Sequence, residues 1–144
     1  MTWWLSDAAK RMRWEIDKHY PERDKRSDGA VGDLAHEARS SDHNPDPSSN
    51  PPGVVRAIDV DKDLSRVDPK AMHKLAERVR RTARKDDRIT YIIWNGRIAS
   101  NQRNKLGRRW GWRPYYGANP HNQHMHVSFA KHADHDGRAF RLFG

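Results

Sequence analysis

Two runs rich in β-branched and aromatic residues, Ile89 to Trp94 and Arg97 to Ser100, are separated only by Asn95-Gly96. Asn-Gly is the strongest short hairpin signal, because both residues tolerate the left-handed backbone that a two-residue turn requires. A chain carrying this hairpin must build an antiparallel sheet around it. His126-Val-Ser-Phe129 reads as another strand, and side chains alternate faces along a strand. His124 and His126 then share one face, while Met125, Val127 and Phe129 pack on the other. Val54 to Val60 is short and β-branched, which predicts a strand with Ala57 and Asp59 on a common face.

Helices account for the remaining periodic segments. Ser6 is a good N-cap, and Leu5, Ala8, Ala9, Met12, Ile16 and Tyr20 follow at helical spacing until Pro21 stops them. The helix is expected from Asp7 to about Tyr20. Asp68 as cap and Pro69 at the first helical position open a second helix, with Met72, Leu75, Ala76, Val79 and Ala83 as its apolar stripe. Its exposed side carries Lys70, Lys74, Arg78, Arg81 and Lys85, best read as a solvated face on which Glu77 pairs with Arg81. Pro21 to Pro52 is loop-like, and Asn101 to Gly117 is a basic, aromatic loop with Trp110, Trp112, Tyr115 and Tyr116. After the histidine strand a polar tail ends in Phe140-Arg-Leu-Phe143. The expected fold is α+β: one domain over residues 1–144, a small antiparallel sheet carrying the paired histidines, and two helices packed on one side.

The polar residues of the sheet suggest chemistry. Two imidazoles side by side on a rigid strand are a common start for a metal site, although a lone His-x-His is as readily a polar strand. A second cluster tips the balance: Ser41-Asp42-His43, then Arg56-Ala57-Ile58-Asp59, adds one imidazole and one carboxylate. The chain has no Cys, so zinc would have to be held by His and carboxylate. His43, Asp59 and one histidine of the pair satisfy the three ligands of a catalytic zinc. The other histidine, with an ordinary pKa near ~6.5, could serve as general base.

Ser-x-His43, Ala57-x-Asp59 and His124-x-His126 resemble the pattern of the LAS metallopeptidases, also called hedgehog/D-Ala-D-Ala peptidases, zinc enzymes of small α+β fold that cut peptidoglycan peptides. Tyr20-Pro-Glu-Arg, Ser27-Asp-Gly, Gly32-Asp, Arg39-Ser-Ser-Asp-His-Asn-Pro45 and Asn119-Pro-His-x-x-His-x-His126 look like the peptidase domain of actinobacteriophage endolysins. The likeness runs from about Tyr20 to Phe129. It implies Zn2+ held by His43, Asp59 and His126, with His124 as a catalytic or transition-state-stabilising residue. Many members place a Glu base three residues before the ligand His. Gln123 stands there in this chain, so the base falls to His124 or His121, of which His124 is preferred. Arg39, just upstream of the ligand His, reads either as a group binding a substrate carboxylate or carbonyl oxygen or as a surface charge of a basic chain. The His43–Asp59 spacing is longer than usual in the family, and the excess reads as a loop insertion.

A net charge of +9 and a pI near 10.2 predict an acidic partner. The expected partner is bacterial peptidoglycan with its anionic wall polymers, met by a monomer without membrane insertion or nucleic acid. The aromatic residues of the 101–117 loop are expected to line the cleft. No secretory signal is evident at the N-terminus. A lysin of this kind would be made in the host cytoplasm and reach the wall after holin-type release. Two alternatives compete. One is an HNH-type nuclease, suggested by the charge and by His43-Asn44 with Asn122, and the other is a metal-bound wall-binding module without catalysis. Asp59-x-Asp61-x-Asp63 imitates the start of a calcium loop, but Leu64 sits where Gly is needed and Lys70 where Glu is needed. His19, His36, His73, His132 and His135 are expected at the surface or as caps.

Overall fold

The Asn95-Gly96 turn sets the frame. In the computed structural model, which describes residues 2–30 and 41–144, the chain runs β1 (Trp4–Leu5), α1 (Asp7–His19), β2 (Val54–Val55), β3 (Ala57–Asp61), α2 (Ala71–Ala83), β4 (Ile89–Trp94), β5 (Arg97–Ser100), β6 (Arg113–Pro114), β7 (His124–Phe129) and a short 3-10 turn, Lys131–Ala133. Both turn residues have positive φ, 52° at Asn95 and 77° at Gly96, as a tight hairpin of this twist requires. Strand order is β3-β7-β4-β5-β6, antiparallel throughout. The histidine strand β7 is therefore interior, paired on both edges.

Alternation divides the sheet into two faces. Ile58, Val60, Met125, Val127, Phe129 and Ile92 are buried against Met12 and Ile16 of α1 and Leu75 and Val79 of α2. Both helices pack on this face, giving the expected α+β architecture. Each such side chain withdrawn from water contributes about 1.5–3 kcal/mol, which makes this layer the main source of stability. The opposite face carries Asp59, Asp61, His124, His126 and Ser128.

Local signals explain most boundaries. Ser6 caps α1, its hydroxyl accepting from Ala9 N–H at 3.2 Å. α2 begins two residues later than Asp68-Pro69 predicts. The Asp68 carboxylate accepts from Lys70 N–H (3.0 Å) and its carbonyl from Ala71 N–H (3.2 Å), so these residues form a turn leading into the helix. On its outer face Glu77 pairs with Arg81 as expected, at 3.4 Å, and also with Arg80.

Three features depart from the sequence reading. The single strand expected over Val54 to Val60 is two, broken at Arg56, whose guanidinium binds Asp134 (2.7 and 2.8 Å) and Asp46 (2.7 Å). β2 then leaves the main sheet to pair in parallel with β1. The C-terminal tail is no polar appendage: Phe140 and Leu142 are buried, and Glu15 of α1 accepts both of their N–H groups, at 2.7 and 3.0 Å.

Glu15→Ala should leave two buried N–H groups unpaired, lowering stability by about 1–3 kcal/mol in urea unfolding and opening the Arg138 and Arg141 bonds to trypsin. An unchanged midpoint would show that the tail is held by its apolar side chains alone. Hydrogen bonds from Ser48 and the Arg56 guanidinium lower the pKa of Asp46 from 3.8 to about 2. Ionised Asp46 thus stabilises the fold above about pH 4, and this contribution is lost as pH falls toward 2. Asp46→Asn should be less stable than the parent at pH 7, with a smaller further loss between pH 4 and 2.

Candidate metal centre

Three segments meet on the polar face of the sheet. The β3–β7 register sets Asp59 directly opposite His126 and Asp61 opposite His124. Paired residues of an antiparallel ladder hold their Cβ atoms within about 5.5 Å, so Asp59 and His126 meet by strand pairing alone. Gly29 pairs with Asp59 through two backbone hydrogen bonds (2.7 and 3.2 Å), laying the preceding loop along β3. His43 arrives from the loop before β2, which is tied down where Arg56 N–H donates to Asp42 O at 3.0 Å.

The donor atoms converge. His43 Nε2 lies 3.1 Å from His126 Nδ1 and 3.2 Å from Asp59 Oδ2, and His126 Nδ1 lies 3.3 Å from Asp59 Oδ1. Ligand atoms about 2.05 Å from a tetrahedral zinc stand roughly 3.3 Å apart, so these separations fit one ion. Both outward nitrogens are hydrogen bonded. His43 Nδ1 donates to Ala30 O at 2.6 Å, and His126 Nε2 is 2.6 Å from Ser128 Oγ. The inward nitrogens, His43 Nε2 and His126 Nδ1, stand beside the buried Asp59 carboxylate. Asp59 Oδ1 is itself buried with no hydrogen bond. These three residues could hold a metal ion.

Electrostatics agree. Burial opposes the charge of Asp59, but pairing with His126 and His43 outweighs it and holds the carboxyl well below its usual range. Burial also opposes protonation of His43, yet Asp59 raises its pKa above the ordinary value, whereas His126, wholly buried, is pushed down. Tyr91 stacks on His126 (ring centroids 5.2 Å, 14° apart), and burial raises its hydroxyl to about 12, keeping it a neutral phenol.

His124 and His121 flank this cluster. His124 Nε2 is 3.5 Å from Asp59 Oδ2, and its side chain keeps 18% exposure against 5% for His126. Its Nδ1 is buried with no hydrogen-bond partner among the described residues. The His121 ring stands edge-on to His124 at 5.1 Å and near His126 at 5.4 Å, on a backbone at φ 57° held by Asn119. Burial and the neighbouring imidazoles lower its pKa to about 4. Asp59, His121 and His124 form a second, shallower group able to hold an ion. The His43–Asp59–His126 group is favoured, because both of its imidazoles have an outer hydrogen bond that orients them as ligands.

Of the other expected residues, Arg39 and His36 lie outside the described residues. Gln123 is exposed, its carbonyl accepting from Lys62 N–H and Ser27 Oγ. Trp110 is buried in the helix-side core and Trp112 packs against it, donating to Glu77, so these rings face away from the histidines. Only Tyr115 approaches, 6.1 Å from His121, and Tyr116 is fully solvated. Asp61 accepts from Ser27 N–H, Ser27 Oγ and Asp63 N–H, and with Asp24 and Asp63 it forms a further acidic group that could hold an ion. His73 accepts from Trp94, His135 stacks on Trp4 and His19 on Phe143. Ser128, Ala30 and Tyr91 went unread in the sequence. Ser128 was findable, since it lies two residues beyond His126 on the same strand face. No family model, curated protein or solved structure matches this chain.

His126→Ala should abolish stoichiometric metal binding in a chelator-competition titration, while His124→Ala retains it. Ser128→Ala should weaken affinity by about 10–100-fold, the usual effect of removing an orienting partner. Full occupancy in His126→Ala, or loss in His124→Ala, would exchange the roles of the two strand histidines.

Proposed function

We propose that this chain is a zinc-dependent peptidoglycan peptidase of the phage endolysin type, hydrolysing stem-peptide or cross-link amide bonds. The observation carrying the reading is the convergence of His43 Nε2, His126 Nδ1 and Asp59 within 3.1–3.3 Å, with a further imidazole, His124, beside them. Two histidines and one carboxylate leave a fourth position open, the mark of a catalytic rather than a structural zinc. Zinc held there would polarise a scissile carbonyl and lower the pKa of a bound water to about 7.

The remaining work belongs to side chains. His124 is the more exposed member of the strand pair, and its Nε2 sits at the mouth of the cluster, where it can take a proton from the nucleophile and return it to the leaving amine. Asp59 lies 3.5 Å from that imidazole and can orient it. His121 closes one wall, and Tyr91 holds the His126 ring in plane. The nuclease alternative is disfavoured, because the histidines stand on a sheet and a loop and, among the described residues, on no ββα unit.

The substrate is tested with purified peptidoglycan, casein and plasmid DNA. Walls should release fragments with new amino groups, located by mass spectrometry, and casein should be cut far more slowly. Chelation should stop the release and zinc restore it. His124→Ala should lower turnover by roughly 10²-fold or more, the scale of a general acid–base residue. Release of reducing sugars without amino groups, or nicking of the plasmid with magnesium, would refute the peptidase reading.

A further inference from the structure

A cleft of about 1330 Å3 opens between the C-terminal end of α2, the 101–110 loop and the C-terminal tail. Ile89, at the start of β4, lies on its wall, whereas His126 pairs with Ile93 near the other end of that strand. Four residues of strand separate the two by about 13 Å. The cleft shares no residue with the histidine cluster.

Its charge is mainly positive, with Asp87 an exposed carboxylate on the same wall. Arg84, Lys85, Arg103, Arg108, Arg109 and Arg141 are all exposed on it, and none pairs with a carboxylate among the described residues. Arg88 and Arg138, on the same walls, are neutralised by Asp86 and Asp136. The six others repel one another in the absence of an anion, and a concave wall focuses their field. Guanidinium groups match phosphate oxygens in a planar, two-bonded fork. The walls are also built with unusual backbone: Trp110 and Arg141 hold φ of 64° and 59°, a conformation that bulky residues rarely adopt and that is concentrated at functional sites.

The lining also argues about the kind of polyanion. Proteins that grip single-stranded nucleic acid stack its bases on exposed aromatic rings. Here the lining has one aromatic residue, Trp110, and its ring is buried in the core. The cleft therefore presents charge without a stacking platform. We infer that it binds a base-free phosphodiester polymer of the bacterial wall and so holds the chain on its substrate while the histidine site works. The choice of a wall polymer rests on the peptidase reading, whereas the preference for an anionic chain without bases rests on the cleft alone.

The test titrates the full chain with poly(glycerol phosphate) and, separately, with single-stranded DNA of equal charge, over a range of salt. A cleft variant, Arg84→Gln with Arg108→Gln and Arg109→Gln, is compared with an equally charged control, Lys18→Gln with Arg66→Gln and Lys70→Gln. The parent should bind the polymer with an affinity that falls as salt rises, and the cleft variant should bind about tenfold or more weakly, as loss of three phosphate contacts implies. The control should stay close to the parent. The cleft variant should cut a short soluble muropeptide at the parental rate and whole walls more slowly. Equal losses in both variants would reduce the attraction to net charge and overturn the site. Tighter binding of DNA than of the polymer would overturn the assigned occupant. A parent that binds the polymer but cuts no muropeptide would leave the cleft standing and remove the peptidase.

Discussion

Asp59 faces His126 across the β3–β7 ladder, and the chemistry of the sheet depends on that register. Side-chain direction alternates at every residue, so a slip of one position would bury Asp59 and both strand histidines under the helices and expose Val60, Met125 and Val127. The apolar face forbids this. Met12 and Ile16 of α1 and Leu75 and Val79 of α2 close over Ile58, Val60, Met125 and Val127, and the same packing that stabilises the fold pins the polar face. Burying β7 between β3 and β4 adds rigidity, since both edges of the histidine strand are hydrogen bonded.

Two buried electrostatic clusters lie on either side of that ladder, and they are balanced differently. Arg56 meets two carboxylates, Asp46 and Asp134, so its charge is matched entirely by protein groups. Around Asp59 the described residues bring one carboxylate and two imidazoles together, with donor atoms 3.1–3.3 Å apart. The first cluster joins distant segments at the break between β2 and β3. The second gathers donor atoms that could hold a metal ion, whereas the first is a structural ion network.

Local physics made much of this legible in the sequence. The hairpin followed from Asn95-Gly96, the start of α1 from Ser6, and the facing of His124 and His126 from strand alternation, each a property of a few neighbouring residues. What escaped depends on partners far along the chain. Nothing near Arg56 announces that Asp134 will bind it and split the strand, and nothing in Phe140-Arg-Leu-Phe143 reveals that Glu15 will anchor it. Trp110 and Trp112 read as cleft residues because aromatic loops often line sites, yet their rings fill the helix-side core. The family resemblance implies His43, Asp59 and His126 as ligands, and their donor atoms converge. Ala30 and Tyr91, which orient two of those rings, carry no motif and became visible only in three dimensions.

The central claim is that one metal sits among His43, Asp59 and His126. Anomalous diffraction at the zinc edge from crystals grown with zinc tests it most directly. The account predicts a single peak about 2.0–2.2 Å from His43 Nε2, His126 Nδ1 and an Asp59 oxygen, the distances of zinc to nitrogen and carboxylate. A peak held instead by His121 and His124 with Asp59, or no peak at this face of the sheet, would contradict it.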